Sequence, residues 1–253
     1  MNMRTNILET PSAGRGGPRS GSGRRRFPRG FSLIELLTVI SIIGVLAAIG
    51  VGLATVAGRK SKESAIRAER DRLVTAIESY RFDFNQYPPD NARDGVNAST
   101  VLHPLYYELV GTISSQQGMY YQTSDREERL SAPEIGRAFN RRGFVNSSEA
   151  PERPKNYLGA LKARQRQEIA VGGVSDVELL AVPVEWPVSK TINGVSLKDS
   201  APLKGVVSDE RLLRVNPWQY VSTRPVHNQN SFDLWAEVVI GKERRIIGNW
   251  KEE

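Results

Sequence analysis

The stretch RRRFPRGFSLIELLTVISIIGVLAAIGVGLATVAGRK, residues 24–60, decides the fold. From Phe31 to Ala57 it holds 27 residues and a single charge, Glu35. An apolar run of about 20 residues spans a bilayer core as a helix. A secretory signal has an apolar region of only about 7–15 residues, so this run is expected to be retained as a membrane segment. The dense arginines before it predict an N-terminus on the cytoplasmic side. Arg59, Lys60 and Lys62 oppose that orientation but are fewer. The bulk of the chain is then expected outside the cytoplasmic membrane.

Composition sharpens this picture. The 253 residues carry a formal net charge of +7 and no cysteine. Zero cysteines exclude a disulfide framework and a thiolate metal site. The charge sits at one end: residues 1–30 hold seven arginines and one acid, Glu9, leaving 28 basic and 27 acidic side chains beyond them. Residues 31–253 are therefore near neutral, which argues against a broad nucleic-acid surface. The Arg-, Gly-, Ser- and Pro-rich residues 1–30 have little to bury and predict a disordered leader.

The helical signal continues past the apolar run, with no proline between Phe31 and Tyr87. Ile66, the stem of Arg70, Leu73, Ile77, Tyr80 and Phe84 recur at three- or four-residue spacing and form one apolar stripe. Arg67, Glu69, Asp71, Arg72 and Glu78 are placed on the other faces. Pro88-Pro89 ends the helix. A helix from Phe31 to about Phe84 would measure roughly 80 Å at about 1.5 Å per residue. Gly50, Gly52 and Gly58 admit two readings: close packing of small residues between membrane helices, or a weak point that bends or melts during assembly.

Residues 88–253 read as a soluble α+β domain. TVLHPLYYELVGT (100–112) predicts a short helix. Residues 114–170 read as loop with one or two short helices, and DREER (125–129) as a solvated helix face. Strand signals gather later, in DVELLAVPVEW (176–186), KTINGVSL (190–197), ERLLRVNPWQYVS (210–222), FDLWAEVVI (232–240) and ERRIIGNW (243–250). Asn193-Gly194 and Gly241-Lys242 predict hairpin turns. Trp186, Trp218, Trp235 and Trp250 are expected in the core. His103 and His227 stand apart, with no zinc-binding spacing, phosphate loop or marked catalytic triad. No enzymatic role is expected.

The basic leader ending in Gly30, then Phe31, then Glu35, then an uninterrupted apolar helix, resembles the N-terminus of type IV pilins and type II secretion pseudopilins. AIESYRFDFNQYPPD (76–90) and the NPWQYVS and SFDLW segments (216–222 and 231–235) resemble the same group; residues 91–215 carry no such likeness. The resemblance implies that a prepilin peptidase cuts between Gly30 and Phe31 and methylates the new amine. It also implies that Glu35 is the assembly residue, pairing with the cationic amine of Phe31 of a neighbour or of its own chain. An ionised group at a bilayer centre costs about 2.5–3.5 kcal/mol on insertion scales. Phe31 and Glu35 stand only about 6 Å apart at helical rise. A partnered Glu35 would fix both position and register as helices stack.

The family's major pseudopilins bind calcium in an acidic C-terminal loop, and Asp233 keeps a position there. The following LWAEVVIGKERRIIGNW has Glu237 and Glu243 but no clustered aspartates, which argues against calcium and leaves no cofactor expected. The apolar run also lacks a proline, with Gly52 where many relatives carry one.

The resulting expectation has four parts: a cleaved leader (1–30), a transmembrane helix (31–57), its amphipathic continuation (58–87) and a soluble domain (88–253). The fold is α+β and pilin-like, a long N-terminal helix packed on a C-terminal antiparallel sheet. The expected role is a structural subunit of a type II secretion pseudopilus in the inner membrane, with its C-terminal domain in the periplasm. Its partners would be the prepilin peptidase, copies of itself, other pseudopilins and an inner-membrane assembly platform. The alternatives are a type IV pilus subunit or a membrane-anchored minor pilin binding DNA or a secreted substrate, kept open by Arg137, Arg141, Arg142 and the basic patch at 162–166. A third is a signal-anchored sensor that is never cut.

Overall fold

A computed structural model describes residues 30–123 and 129–251, without the side chains of residues 49–55, 97 and 175–176. The leader up to residue 29 and most of the DREER segment lie outside these. Contacts divide the chain into two compact units, one ending at Val51 and the other running Gly52–Glu253.

The first unit is helical. Helix α1 is assigned from Leu33 to Phe84, and its residues up to Val51 make up this unit. Large apolar side chains cover it and all are exposed, from Leu33 at 82% to Val39 at 44%. Thr38 Oγ1 donates to the Glu35 carbonyl at 2.9 Å and Ser41 Oγ to the Leu37 carbonyl at 2.8 Å. Such back-bonding hides hydroxyls that would otherwise face an apolar surrounding. Among the described residues, no helix is long and apolar enough to cross a membrane. The predicted span of 31–57 passes through residues 49–55, whose side chains lie outside the description, as do Gly50 and Gly52.

In the second unit the amphipathic part of α1 lays its stripe into a core. Ile66, Leu73, Ala76, Ile77 and Tyr80 are buried. Arg70 lies flat, with its guanidinium donating to the Gly248 carbonyl at 2.8 Å. One expectation fails here: Glu69 is on the buried stripe, at 9% exposure, and not on a solvent face. Its place one turn from both Ile66 and Leu73 forces it inward. The helix ends at Phe84 because Asn85 adopts a left-handed φ of 58°, and the prolines that follow cannot continue it.

The sheets are short. Strand Asp233–Ile240 pairs antiparallel with Glu243–Gly248 on one side and Gln219–Val221 on the other. Buried and half-buried residues alternate along Asp233–Ile240, as a strand covered on one face requires. Both predicted turns form, with positive φ at Asn193, Gly194 and Gly241. Helix α2, Leu105–Val110, falls inside the segment expected to be helical.

Three details differ from expectation. Residues 112–149 build a four-stranded sheet, in which Thr112–Ser115 pairs antiparallel with Tyr120–Thr123 but parallel with Ser147–Glu149. Helix α3, Ala132–Phe139, sits within that region. The stretch 210–222 is not one strand: Glu210–Arg214 forms a 3-10 turn capped by Asp209 before the chain extends at Gln219. Strand Arg166–Val171 forms where loop or short helix was expected, and it hairpins with Val174–Leu180, which overlaps the expected strand segment 176–186. Most of these segments are short and mix polar with apolar residues, so local pattern specifies them weakly. The α+β class stands, with several small sheets replacing a single one.

Trp218 and Trp186 are fully buried, the latter donating to the Leu197 carbonyl at 2.6 Å. Trp235 and Trp250 are only half-buried, Trp235 because it lies on the less covered face of the central strand and Trp250 because it follows the end of the last strand.

Candidate assembly site

Gly30 and Phe31 precede α1 without regular structure. Gly30 is exposed, and a Cβ built on it would meet nothing within 4 Å. Phe31 is 78% exposed. A peptide bond that is irregular and open on all sides presents itself to a protease more readily than one inside a hydrogen-bonded helix.

Glu35 closes the first turn. Its Oε2 accepts from the Ser32 backbone N–H at 2.9 Å, while the Ile34 N–H donates to Ser32 Oγ at 3.3 Å. The Leu36 N–H donates to the Ser32 carbonyl at 3.1 Å. Ser32 and Glu35 therefore cap the turn between them, with the Glu35 side chain taking the Ser32 N–H as in half of a capping box and the Ser32 hydroxyl taking the Ile34 N–H. The same spacing recurs at α3, where Glu134 Oε2 accepts from the Ser131 N–H at 2.8 Å. The carboxylate also sits at the positive end of the helix dipole. Gly30 and Phe31 thus stand five and four positions before Glu35, just ahead of the helix. Ser32 is the functional residue that the sequence reading passed over, although the capping-box spacing announces it.

Asp233 belongs to the other unit and has a different occupation. Its Oδ2 accepts from the backbone N–H groups of Val226 and His227, both at 2.8 Å, and lies 3.2 Å from His227 Nδ1. Its Oδ1 accepts from the Asn228 backbone at 2.9 Å and from Asn228 Nδ2 at 3.1 Å. Hydrogens point at the carboxylate from the directions a cation would need. Residues 222–232 supply no second acid. Among the described residues, no group of three or more His, Asp or Glu side chains is placed to hold a metal. This donor set does not fit calcium. Asp233 instead fixes the loop, which His227 closes by stacking on Trp250 at 3.8 Å. Asp90 does similar work, accepting from the N–H groups of Ser222 and Thr223 at 3.0 and 2.8 Å.

Among the buried titratable groups, His103 has a structural place. His103 is buried, bonded through Nε2 to the Trp218 carbonyl at 2.9 Å, and burial pushes its pKa down to about 4. It is neutral at physiological pH and lies apart from His227. The basic residues singled out for nucleic acid are partly spent: Arg141 donates to the Asp90 carbonyl and Arg166 to the Tyr106 hydroxyl.

Comparison with known proteins adds to this geometry. Residues 25–51 match the prokaryotic N-terminal methylation motif. The chain is 32% identical over 84 residues to a fimbrial protein of Neisseria meningitidis, covering 32% of this chain and 48% of that protein. It is 41% identical over 69 residues to the type II secretion system core protein G of Pectobacterium carotovorum, covering 26% and 42%. It is 36% identical over 67 residues to the type IV wide pilus major component of Thermus thermophilus, covering 26% and 51%. The chain spans about half the length of the curated relatives it matches. No solved structure matches it. By their names these relatives are structural components, not enzymes.

Proposed function

We propose that this pilin-like protein, which carries the prokaryotic N-terminal methylation motif, is a structural subunit of a filament assembled from the inner membrane. The observation that carries the proposal is the first turn of α1. An exposed Gly30–Phe31 bond stands four residues before Glu35, at the head of an apolar helix whose described side chains up to residue 48 are all exposed. Prepilin peptidase would cut after Gly30 and methylate the Phe31 amine. Glu35 would then exchange its bond to the Ser32 N–H for a cationic partner, the new amine of a stacked copy or of its own chain. Lipid covers the apolar helix before assembly and other helices cover it afterwards. The contact repeats head to tail, so growth is open-ended.

Within this class we favour the pseudopilus of a type II secretion system over a type IV pilus. Its support is that core protein G relatives reach 41% and 40% identity, against 32% and 36% for the fimbrial and wide-pilus proteins. On this reading residues 31–57 form a single membrane pass and the domain beyond lies in the periplasm. The partners are the peptidase, other pseudopilins and an assembly platform. No metal, nucleic acid or cofactor enters the mechanism. Mass analysis of the membrane-purified chain tests the reading: it should begin at methylated Phe31. A mature chain that keeps its arginine-rich leader would overturn it.

A further inference from the structure

In the second unit, Arg59, Lys60 and Lys62 occupy α1 just after the apolar run and are all exposed. Arg59 lines a cavity of about 680 Å3 together with Lys190 and Lys242, two residues carried on separate hairpins. No acid lines that cavity. Gly241 shapes it: a Cβ there would come within 2.9 Å of the Arg59 guanidinium carbon, so the bare turn lets the guanidinium lie alongside.

The nearby carboxylates form their ion pairs with other cations, although Glu243 also lies near enough to Arg59 to feel its charge. Glu243 is paired with Arg245 at 2.6 Å, and Glu63 with Arg67 and Arg245 at 2.9 and 3.0 Å. Among the described residues no carboxylate is paired with Arg59, Lys190 or Lys242. A second concavity of about 440 Å3 begins at Lys62 and adds Arg164 and Arg214, facing one acid, Glu185. Glu243 feels the Arg59 charge as well as that of Arg245, so the cations outnumber the acids near them; such an excess of like charge is relieved when an anion sits among them.

Position in the chain selects the anion. Arg59 follows the last apolar residue, Ala57, by two positions, or about 3 Å of helical rise. A helix leaving hydrocarbon enters the phosphate layer at that distance, and Arg and Lys stems extend along such a boundary. We propose that the Arg59–Lys190–Lys242 cavity docks the headgroups of anionic phospholipids, seating the soluble domain on the membrane surface before the subunit is extracted. This rests on the reading of residues 31–57 as a membrane segment.

The test uses the full chain in vesicles of phosphatidylcholine alone and of an equal mixture with phosphatidylglycerol. Amide hydrogen exchange is followed at 191–194 and 241–243. Phosphatidylglycerol should slow exchange by about fivefold or more, the equivalent of one cation held at an anionic surface. The slowing should vanish at about 1 M salt, where the Debye length is near 3 Å. It should also vanish in the Arg59→Gln/Lys190→Gln/Lys242→Gln variant, whose exchange in phosphatidylcholine should match the parent and so report an intact fold. Equal exchange in both vesicles, with the chain retained after a carbonate wash, overturns the proposal alone. Release by the wash overturns the membrane reading and the proposal together. Slowing by inorganic phosphate in pure phosphatidylcholine, or slowing that follows protein density and not lipid charge, assigns the cavity to a free anion or a second copy and also overturns it.

Discussion

Tyr80 of α1 donates its hydroxyl to Glu108 of α2 at 2.9 Å, with both side chains fully buried. The other donors to that carboxylate are the backbone N–H groups of Val145 and Asn146, each at 3.0 Å. One acid therefore ties the amphipathic part of α1 to the four-stranded sheet region. Burial pushes the Glu108 pKa upward, and these donors pull it back. Tyr80→Phe should cost about 1–3 kcal/mol, the range for removing a donor from a buried acceptor. Urea unfolding should show a lower midpoint with an unchanged slope. Glu108→Ala should cost more, because it also strips two backbone donors.

Glu69 sets a pH dependence. Burial raises its pKa from 4.5 to about 7, while the Gln165 side chain and the Arg72 charge oppose the shift. The folded state therefore binds this proton more tightly than the unfolded chain. Its contribution to stability is full below about pH 4.5 and is lost as pH rises towards 7. Glu69→Gln removes that loss. The variant should gain on the order of 2–3 kcal/mol over the parent between pH 4.5 and 8. Glu108 titrates in the same direction, so the difference between variant and parent is the quantity to follow. Equal pH profiles for the two proteins would contradict the assignment.

Asp233 predicts the behaviour of the 222–233 loop. Asp233→Ala leaves three backbone N–H groups without their acceptor and should destabilise by about 2–4 kcal/mol. A chelator should leave the melting temperature of the parent unchanged, and added calcium should not raise it. A calcium-dependent rise would show that the loop rearranges to take the ion.

How much of this was legible in the sequence depends on range. Ile66, Leu73, Ile77 and Tyr80 announced their burial through spacing alone, since a helix face is written within a few turns. Glycine and asparagine at the two hairpin turns were legible because few residues accept positive φ. Glu69 was misplaced because charge was read as exposure, although its position lies on the buried stripe. The strands within 112–149 were missed since their residues are polar and the Thr112–Ser147 pairing links segments 35 residues apart. At the proposed assembly site, Gly30, Phe31 and Glu35 were singled out by the motif, which residues 25–51 match. Ser32 was hidden only by attention to the acid and not to its capping partner.

The central claim is that Glu35 exchanges a bond within its own first turn for the amine of a processed Phe31. Its most direct test is incorporation of Glu35→Ala into filaments, in cells that hold the complete assembly machinery. The account predicts that the variant is cut and methylated at Phe31 like the parent, stays in the membrane fraction, and is scarce in sheared filaments. Incorporation at the parental level would contradict it.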